Sequence, residues 1–181
     1  MQNLIIIAAI ILVISLRRAT EKNKQNNATG EPLNLGSMEY IKLDKSPYNY
    51  DINDAKQALY YARDKYGIEF AKLMERIWRL ESANFNSGQF KGTGTGGMEY
   101  GSWGKWLSQF LQNPVKLKTY VDPKRGPKYF IIFDDLNNYM DMKHYYINTI
   151  RDGNWAAWNS LNADKQTKYR AAVNSIQNTI V

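Results

Sequence analysis

The chain of 181 residues contains no cysteine and a single histidine, and these absences exclude several classes of chemistry. Without cysteine there is no disulfide scaffold, no thiol nucleophile and no cysteine-ligated zinc or iron–sulfur site. His144 has no second histidine at H-E-x-x-H spacing and no obvious nucleophile beside it. We therefore interpret His144 as a partly buried residue on a helix face, and we expect no metal and no other cofactor.

The sequence contains a glycine pattern found in nucleotide-binding proteins, but not in the structural context that nucleotide binding requires. Gly92, Gly94 and Gly97 formally match G-x-G-x-x-G. A dinucleotide site needs this loop between a strand and a helix of a βαβ unit, whereas here a helical segment and a polar turn precede it. No Gly-Lys-Ser/Thr follows to complete a P-loop. These glycines are better explained by a close approach of the backbone to a ligand or to the preceding helix.

The charge balance is basic, because 24 lysines and arginines oppose 17 aspartates and glutamates and give a net charge of +7 at pH 7. This favours anionic partners such as nucleic acid, phospholipid headgroups or acidic cell-wall polymers. The basic residues are scattered, and no stripe combines them with aromatic residues, so we expect nucleic acid not to be the partner. The length suits one compact domain with an appendage.

The amino-terminal segment differs from the rest of the chain. Leu4 to Leu16 is apolar except for Ser15, and Arg17 and Arg18 follow it. The positive charge comes after the apolar run and no A-x-A-like cleavage site is present, which favours a retained membrane anchor over residues 1–18 rather than a cleaved signal peptide. The positive-inside rule would keep the following chain in the cytoplasm. A membrane that later becomes part of a virus particle would explain this orientation, and the alternative is that the rule fails for this chain.

The remaining chain divides into a linker and a domain. Residues 19–50 are polar and lack periodicity, which predicts a flexible linker, and residues 51–181 form the domain. Helical spacing predicts a first helix from Asp54 to Tyr66, with Asn53 or Asp51 as its N-cap. The other predicted elements are a helix over 68–81, a loop or short strand pair over 114–127, a β-like run over 129–133, and helices over 105–111, 136–150, 155–158 and 163–180. The domain is therefore predicted to be mainly α with minor β.

Glu81 is the strongest candidate for chemistry. Trp78, Ile77, Met74 and Phe70 precede it by three, four, seven and eleven residues, which places its carboxyl on the apolar face of one helix. We expect these neighbours to remove water from the carboxyl and to favour its protonated form, as a general acid requires.

Three segments, in the order in which they occur along the chain, resemble the motifs of a known protein family. Residues 76–82 read Arg-Ile-Trp-Arg-Leu-Glu-Ser, residues 96–99 read Gly-Gly-Met-Glu, and residues 155–159 read Trp-Ala-Ala-Trp-Asn. They are similar to the Glu-Ser helix end, the Gly-Leu-Met-Gln segment and the Ala-Ala-Tyr-Asn segment of the soluble lytic transglycosylases in the lysozyme superfamily. The resemblance covers about residues 65–175. Residues 81–87 also resemble the E-[ST]-x-x-F-x-S pattern of cell-wall glucosaminidases.

The chain departs from the transglycosylase pattern at four positions. Gly97 stands for Leu, Glu99 for Gln, Trp158 for Tyr and Ser160 for Gly. Trp158 keeps an aromatic ring but has no hydroxyl. Glu99 adds a second carboxylate that could activate water, so that hydrolysis stays open beside transglycosylation.

The resemblance implies a lysozyme-like fold and cleavage of the β-1,4 bond between N-acetylmuramic acid and N-acetylglucosamine in peptidoglycan. Glu81 would protonate the glycosidic oxygen and then act as base on the muramyl 6-hydroxyl, closing a 1,6-anhydro ring without water. The resemblance suggests a helix-end and substrate-binding set of Ser82, Met98, Glu99, Tyr139, Trp158 and Asn159.

Two rival functions remain. One is a hydrolytic muramidase or glucosaminidase of the same fold, in which Glu99 or Asp134 assists water, and the other is a catalytically silent structural or host-binding membrane protein. The expected partners are peptidoglycan strands, a lipid membrane through residues 4–16, and other virion or envelope-complex proteins. An anchor, a linker and a wall-cutting domain would suit local cell-wall penetration by a phage virion, with a bacterial envelope system as the other location.

Overall fold

The computed structural model describes residues 40–43, 45–100, 115–122, 124, 126–157 and 162–181. They belong to one compact unit, residues 38–181, which is mainly helical and carries a small sheet. The predicted anchor, residues 1–18, lies outside the described residues and stays a prediction. Within the described part of the chain, no helix combines the length and the apolar character that crossing a membrane requires.

The elements follow one another in an order that places most helices between the first two strands. They are β1 (Tyr40–Leu43), α1 (Ile52–Tyr66), α2 (Ile68–Glu81), α3 (Gly88–Thr93), β2 (Val115–Asp122), β3 (Gly126–Ile132), α4 (Leu136–Tyr145) with a π-helical turn (Tyr146–Ile150), and α5 (Ala163–Asn174).

The sheet has three strands in the order β1-β2-β3. β2 and β3 form an antiparallel hairpin, with Leu117 opposite Ile131. β2 occupies the range 114–127, where a loop or a short strand pair was expected, and β3 includes most of the β-like run predicted over 129–133. β1 runs parallel to β2, with Lys42 opposite Leu117. A parallel pair needs a long crossover, which the helical segment between these strands provides.

The fold begins ahead of residue 51, where the sequence analysis places the end of the linker. β1 lies within the predicted linker, and Tyr50 packs against the core. The Tyr50 amide donates to the carbonyl of Lys91 at 2.9 Å, and its hydroxyl donates to the carbonyl of Phe133 at 2.5 Å. These partners are remote in sequence, so local composition does not reveal them.

α1 forms where its cap and its apolar spacing place it. Asp51, one of the two predicted N-caps, accepts from the amides of Asn53 and Asp54, and the Asp54 side chain accepts in return from the Asp51 amide. This capping box satisfies amides at the helix start that have no partner inside the helix. Gly67 ends the helix with φ of 94°, a conformation that favours glycine. The buried face consists of Ala55, Ala58, Leu59 and Ala62.

α2 supplies the centre of the core and confirms the predicted helix from Ile68 to Glu81. Trp78 is fully buried, and its ring centroid lies 5.5 Å from that of Phe85, 5.7 Å from Phe90 and 5.2 Å from Tyr139. Such aromatic pairs contribute about 0.5–1.5 kcal/mol each beyond the area they bury. The cluster fixes the carboxyl end of α2, and hence Glu81, against α3 and α4.

The carboxyl-terminal third differs from the prediction in three places. The helix predicted over 136–150 is α-helical only to Tyr145 and then continues as the π-helical turn. Residues 155–156 form a turn and residue 157 is irregular, where the start of a helix was predicted. α5 ends at Asn174 rather than continuing to residue 180, because the tail that follows runs back to α2 and bonds there.

Glu75 on α2 holds that tail. Its side chain is fully buried and accepts from the amides of Thr179 at 2.8 Å, Ile180 at 3.0 Å and Val181 at 3.1 Å, and from Arg79 at 2.8 Å. Burial alone would raise the pKa of Glu75, but these hydrogen bonds outweigh burial and lower it. Glu75 is therefore an ionised structural anchor for the carboxyl terminus.

Candidate functional site

The site is built on the carboxyl end of α2. Glu81 is the last residue of the helix, and Ser82 caps it. The Ser82 hydroxyl donates to the carbonyl of Trp78 at 2.5 Å and accepts from the amide of Phe85 at 2.9 Å. Ser82 is fully buried. Its hydroxyl thus holds the helix end and does not reach a substrate.

The chain leaves α2 through three successive residues in the left-handed region. Ala83, Asn84 and Phe85 have φ of 51°, 55° and 66°. This conformation costs roughly 1–2 kcal/mol for a residue with a side chain, so it needs compensation. The Asn84 amide donates to the carbonyl of Arg79 at 2.8 Å, and the Ser87 amide donates to the carbonyl of Ser82 at 2.9 Å. Burial of Phe85 adds to these bonds and fixes the turn after Glu81.

The glycine-rich loop passes directly over Glu81. A Cβ atom built on Gly96 would lie 2.6 Å from the carbonyl carbon of Glu81 and 2.7 Å from its carbonyl oxygen. Only glycine permits this approach without a shift of the backbone. Of the glycines in this loop, Gly96 makes the expected close approach to the preceding helix, whereas Gly92 and Gly94 lie against Lys118 and Leu136.

The side chain of Glu81 is partly buried and has one hydroxyl partner among the described residues. The Tyr169 hydroxyl, on α5, donates to Glu81 Oε1 at 2.5 Å. Oε2 accepts no hydrogen bond from the described part of the chain. Sequence analysis missed Tyr169, because it lies 88 residues away and no local pattern distinguishes it from other tyrosines.

α4 places two further titratable groups within electrostatic range of Glu81. Lys143 is buried, and burial lowers its pKa to about 8, while the charge of Glu81 acts in the opposite direction. Tyr139 is fully buried, and both burial and the charge of Glu81 raise its pKa. The Lys143 ammonium lies 5.6 Å from the centroid of the Tyr139 ring. The surroundings of Glu81 are therefore less apolar than the helix pattern alone predicts.

Several residues of the predicted substrate-binding set have structural roles instead. Tyr139 and Met98 are buried, so neither side chain is available to a glycan strand in this structure. The Met98 carbonyl accepts from the amide of Ile131 at 2.9 Å, which joins the loop to β3. Burial was not evident from the sequence, because the aromatic cluster and the sheet that cover these residues form through long-range contacts. Trp158 and Asn159 lie outside the described residues.

The two carboxylates proposed to assist water are both paired with lysines. Glu99 bonds Lys128 at 3.0 Å and joins β3 through a bridge with Phe130. Asp134 bonds Lys116 at 2.5 Å and accepts from the Tyr48 hydroxyl at 2.9 Å. Each therefore has a salt-bridge partner of its own.

His144 lies on a helix face as expected. It stacks on Tyr66 with 3.8 Å between ring centroids and is partly buried, and burial lowers its pKa. Among the residues that the structure describes, no group of three or more histidine, aspartate or glutamate side chains is arranged to hold a metal ion.

Comparisons with protein-family models, with curated proteins and with solved structures give no significant match to this chain.

Proposed function

We propose that this chain is a membrane-anchored lytic transglycosylase of lysozyme-like fold that cleaves the β-1,4 bond between N-acetylmuramic acid and N-acetylglucosamine. The observation that carries the proposal is the setting of Glu81. Its carboxyl lies at the end of a helix whose apolar face is buried, its backbone is covered by Gly96, and only Oε1 has a hydrogen-bond partner among the described residues.

The proposed reaction uses that one carboxyl twice. Protonated Glu81 would give its proton to the glycosidic oxygen as the bond to the muramyl C1 breaks, and the developing positive charge would spread over the sugar ring. The carboxylate would then take the proton of the 6-hydroxyl as that oxygen bonds to C1. The proton returns to Glu81, and no water is consumed.

The neighbours of Glu81 have distinct roles in this scheme. The Tyr169 hydroxyl would hold Oε1 and leave Oε2 to face the glycosidic oxygen. The buried ammonium of Lys143 would stabilise the carboxylate that remains after the first proton transfer. Both are positioning residues, since they act through Glu81.

We favour transglycosylation over hydrolysis because it needs no second carboxylate. A hydrolase of this type needs a second carboxylate that is available to water or to the sugar. Glu99 and Asp134 each form an ion pair with a lysine, whereas ring closure by the 6-hydroxyl needs only one carboxyl. The proposed location, a phage virion membrane or a bacterial envelope, rests on the apolar sequence of residues 4–16.

One observation favours a rival. The hydrogen bond between Tyr169 and Glu81 joins α5 to α2. In a catalytically silent structural or host-binding protein, Glu81 would serve only to hold these two helices together.

The experiment that separates these functions is digestion of purified peptidoglycan by the full chain in neutral detergent, with mass spectrometry of the products. We expect fragments with 1,6-anhydromuramyl ends. Glu81→Gln should reduce their release by about 10²–10⁴-fold, whereas Glu69→Gln, an exposed glutamate on the same helix, should not change it. Reducing ends would establish hydrolysis instead, and no release by the unmodified chain would favour the silent protein.

A further inference from the structure

A second feature with binding chemistry lies among residues distinct from the Glu81 group. A cavity of about 280 Å³ is formed by the segment 45–49, the helix α3 and the strand β2. None of its lining residues is acidic, and three of them are lysines. The lining consists of Lys45, Ser46, Tyr48, Asn49, Gly88, Lys91, Gly92 and Lys118.

The positive charge of this cavity is not neutralised by the described residues. Within the described part of the chain, Lys45, Lys91 and Lys118 form no ion pair. Lys116, two residues before Lys118 on the same strand, does form one with Asp134. Three lysines that line one cavity without an acidic residue among its lining residues give it a positive potential, which attracts an anion.

The side chain of Lys118 packs against Gly92 in the cavity wall. A Cβ atom on Gly92 would lie 2.6 Å from Lys118 Nζ and 3.5 Å from its Cδ and Cε. The ammonium therefore occupies the space that glycine leaves open on α3. An alanine at this position would displace the ammonium while leaving the charge of the chain unchanged.

The opposite wall is also anchored. The Tyr50 amide donates to the carbonyl of Lys91 at 2.9 Å, and Tyr50 stacks on Tyr48 with 5.2 Å between ring centroids. The Ser46 Oγ accepts from the Tyr48 amide at 3.1 Å, which leaves its own hydroxyl hydrogen available. These contacts hold the segment 45–49 against α3, and none of them uses the side chain of a lysine.

We propose that this cavity binds a phosphate ester of the size of glycerol phosphate. The residues that line the cavity include three lysines, Ser46 and Asn49, whose side chains carry more donors than the two oxygens of a carboxylate accept. A phosphate presents three or more oxygens and carries up to two negative charges, and lysine is a common phosphate ligand. Pockets for drug-sized ligands span roughly 300–1,000 Å³, so this cavity suits a small ester.

The same chemistry has two sources, a free sugar or glycerol phosphate and the headgroup of an anionic phospholipid. The full chain in neutral detergent is titrated with glycerol 3-phosphate, with dihexanoylphosphatidylglycerol below its micellar concentration, and with acetate. Binding is followed by calorimetry and by the amide resonances of Lys91 and Gly92. We expect saturable binding of at least one phosphate ligand, with acetate about tenfold weaker or more.

Matched variants test the site itself. Replacing Lys45, Lys91 and Lys118 together by alanine should weaken phosphate binding about tenfold or more. A control triple variant, with alanine at Lys56, Lys165 and Lys168, loses the same charge elsewhere and should keep the affinity. Gly92→Ala should weaken binding with no change of charge.

Each outcome decides the proposal. Tighter binding of glycerol phosphate identifies a free ester, and tighter binding of the lipid identifies a headgroup. Absence of saturable binding, equal affinity for acetate, or equal losses in both triple variants would overturn the proposal. If the pocket triple variant does not fold by circular dichroism, Gly92→Ala and Lys91→Ala decide in its place. None of these readouts depends on glycan cleavage, so the two proposals stand or fail separately.

Discussion

Glu75 and Glu81 lie on the same helix, six residues apart, yet they differ in how many of their carboxylate oxygens accept hydrogen bonds. Both oxygens of Glu75 accept hydrogen bonds from the carboxyl-terminal tail, and its side chain is fully buried. Glu81 is partly buried, and only Oε1 has a hydrogen-bond partner among the described residues. A carboxylate whose acceptors are all occupied by fixed amides is committed to the fold, whereas a free oxygen is available to a substrate.

The largest expected effect is on activity at Glu81. Glu81→Gln should lower the rate of glycan cleavage about 10²–10⁴-fold, because the amide cannot donate the proton of a general acid. The free energy of unfolding should change by about 1 kcal/mol or less, because the amide oxygen can still accept from the Tyr169 hydroxyl. Product analysis and urea denaturation of the same preparation check both values. A large loss of stability would show that Glu81, like Glu75, is a structural residue.

The reverse is expected at Glu75. Glu75→Gln should lower the free energy of unfolding by about 3 kcal/mol, because an amide cannot satisfy the donors of Thr179, Ile180, Val181 and Arg79 together. Urea denaturation measures the loss, and Glu69→Gln on the exposed face should cost less than about 0.5 kcal/mol. Equal stability of the two variants would contradict the anchoring role.

The contribution of Glu75 should also depend on acid. Its pKa in the folded chain lies below the ordinary value of 4.5, so its stabilising effect is present above pH 4.5 and is lost as the pH falls through the lowered value. The difference in unfolding free energy between the unmodified chain and Glu75→Gln should therefore shrink as the pH falls from 5 toward 3. A difference that stays constant over this range would contradict the assignment.

Lys143 should also make stability rise with pH, but in the alkaline range rather than the acidic one. Its folded pKa of about 8 lies below the ordinary 10.5, so the folded chain releases this proton first and gains stability as the pH rises through that window. We expect the free energy of unfolding to rise by about 2–3 kcal/mol from this group between pH 8 and pH 10. Lys143→Met should abolish the rise in a denaturation series, and an unchanged rise would assign it to another group.

The smallest expected effect sharpens the role of Tyr169. Tyr169→Phe keeps the ring but removes the donor to Glu81, which should lower glycan cleavage about tenfold and stability by about 1 kcal/mol. Tyr60→Phe, at an exposed position of α1, is the comparison variant and should change neither value. If Tyr169→Phe loses stability but keeps full activity, the bond between Tyr169 and Glu81 only ties α5 to α2.

Local signals in the sequence determined α1 and α2 closely. Asp51 as a cap, Gly67 as a break and the apolar spacing up to Glu81 act over a few residues, so they can be read without the fold. For the glycine loop, the sequence indicated a close backbone approach but left open whether a ligand or the preceding helix is the neighbour, and the structure places Gly96 against the end of α2.

The tertiary structure alone decided what each polar side chain does. Glu75 and Glu81 look alike in the sequence, and their difference comes from a tail and a tyrosine that lie about one hundred residues further along the chain. The same holds for the buried Lys143 and for the lysine cavity, where three segments meet. Local sequence sets helices through short-range spacing, whereas burial and charge compensation depend on contacts that only the folded chain brings together.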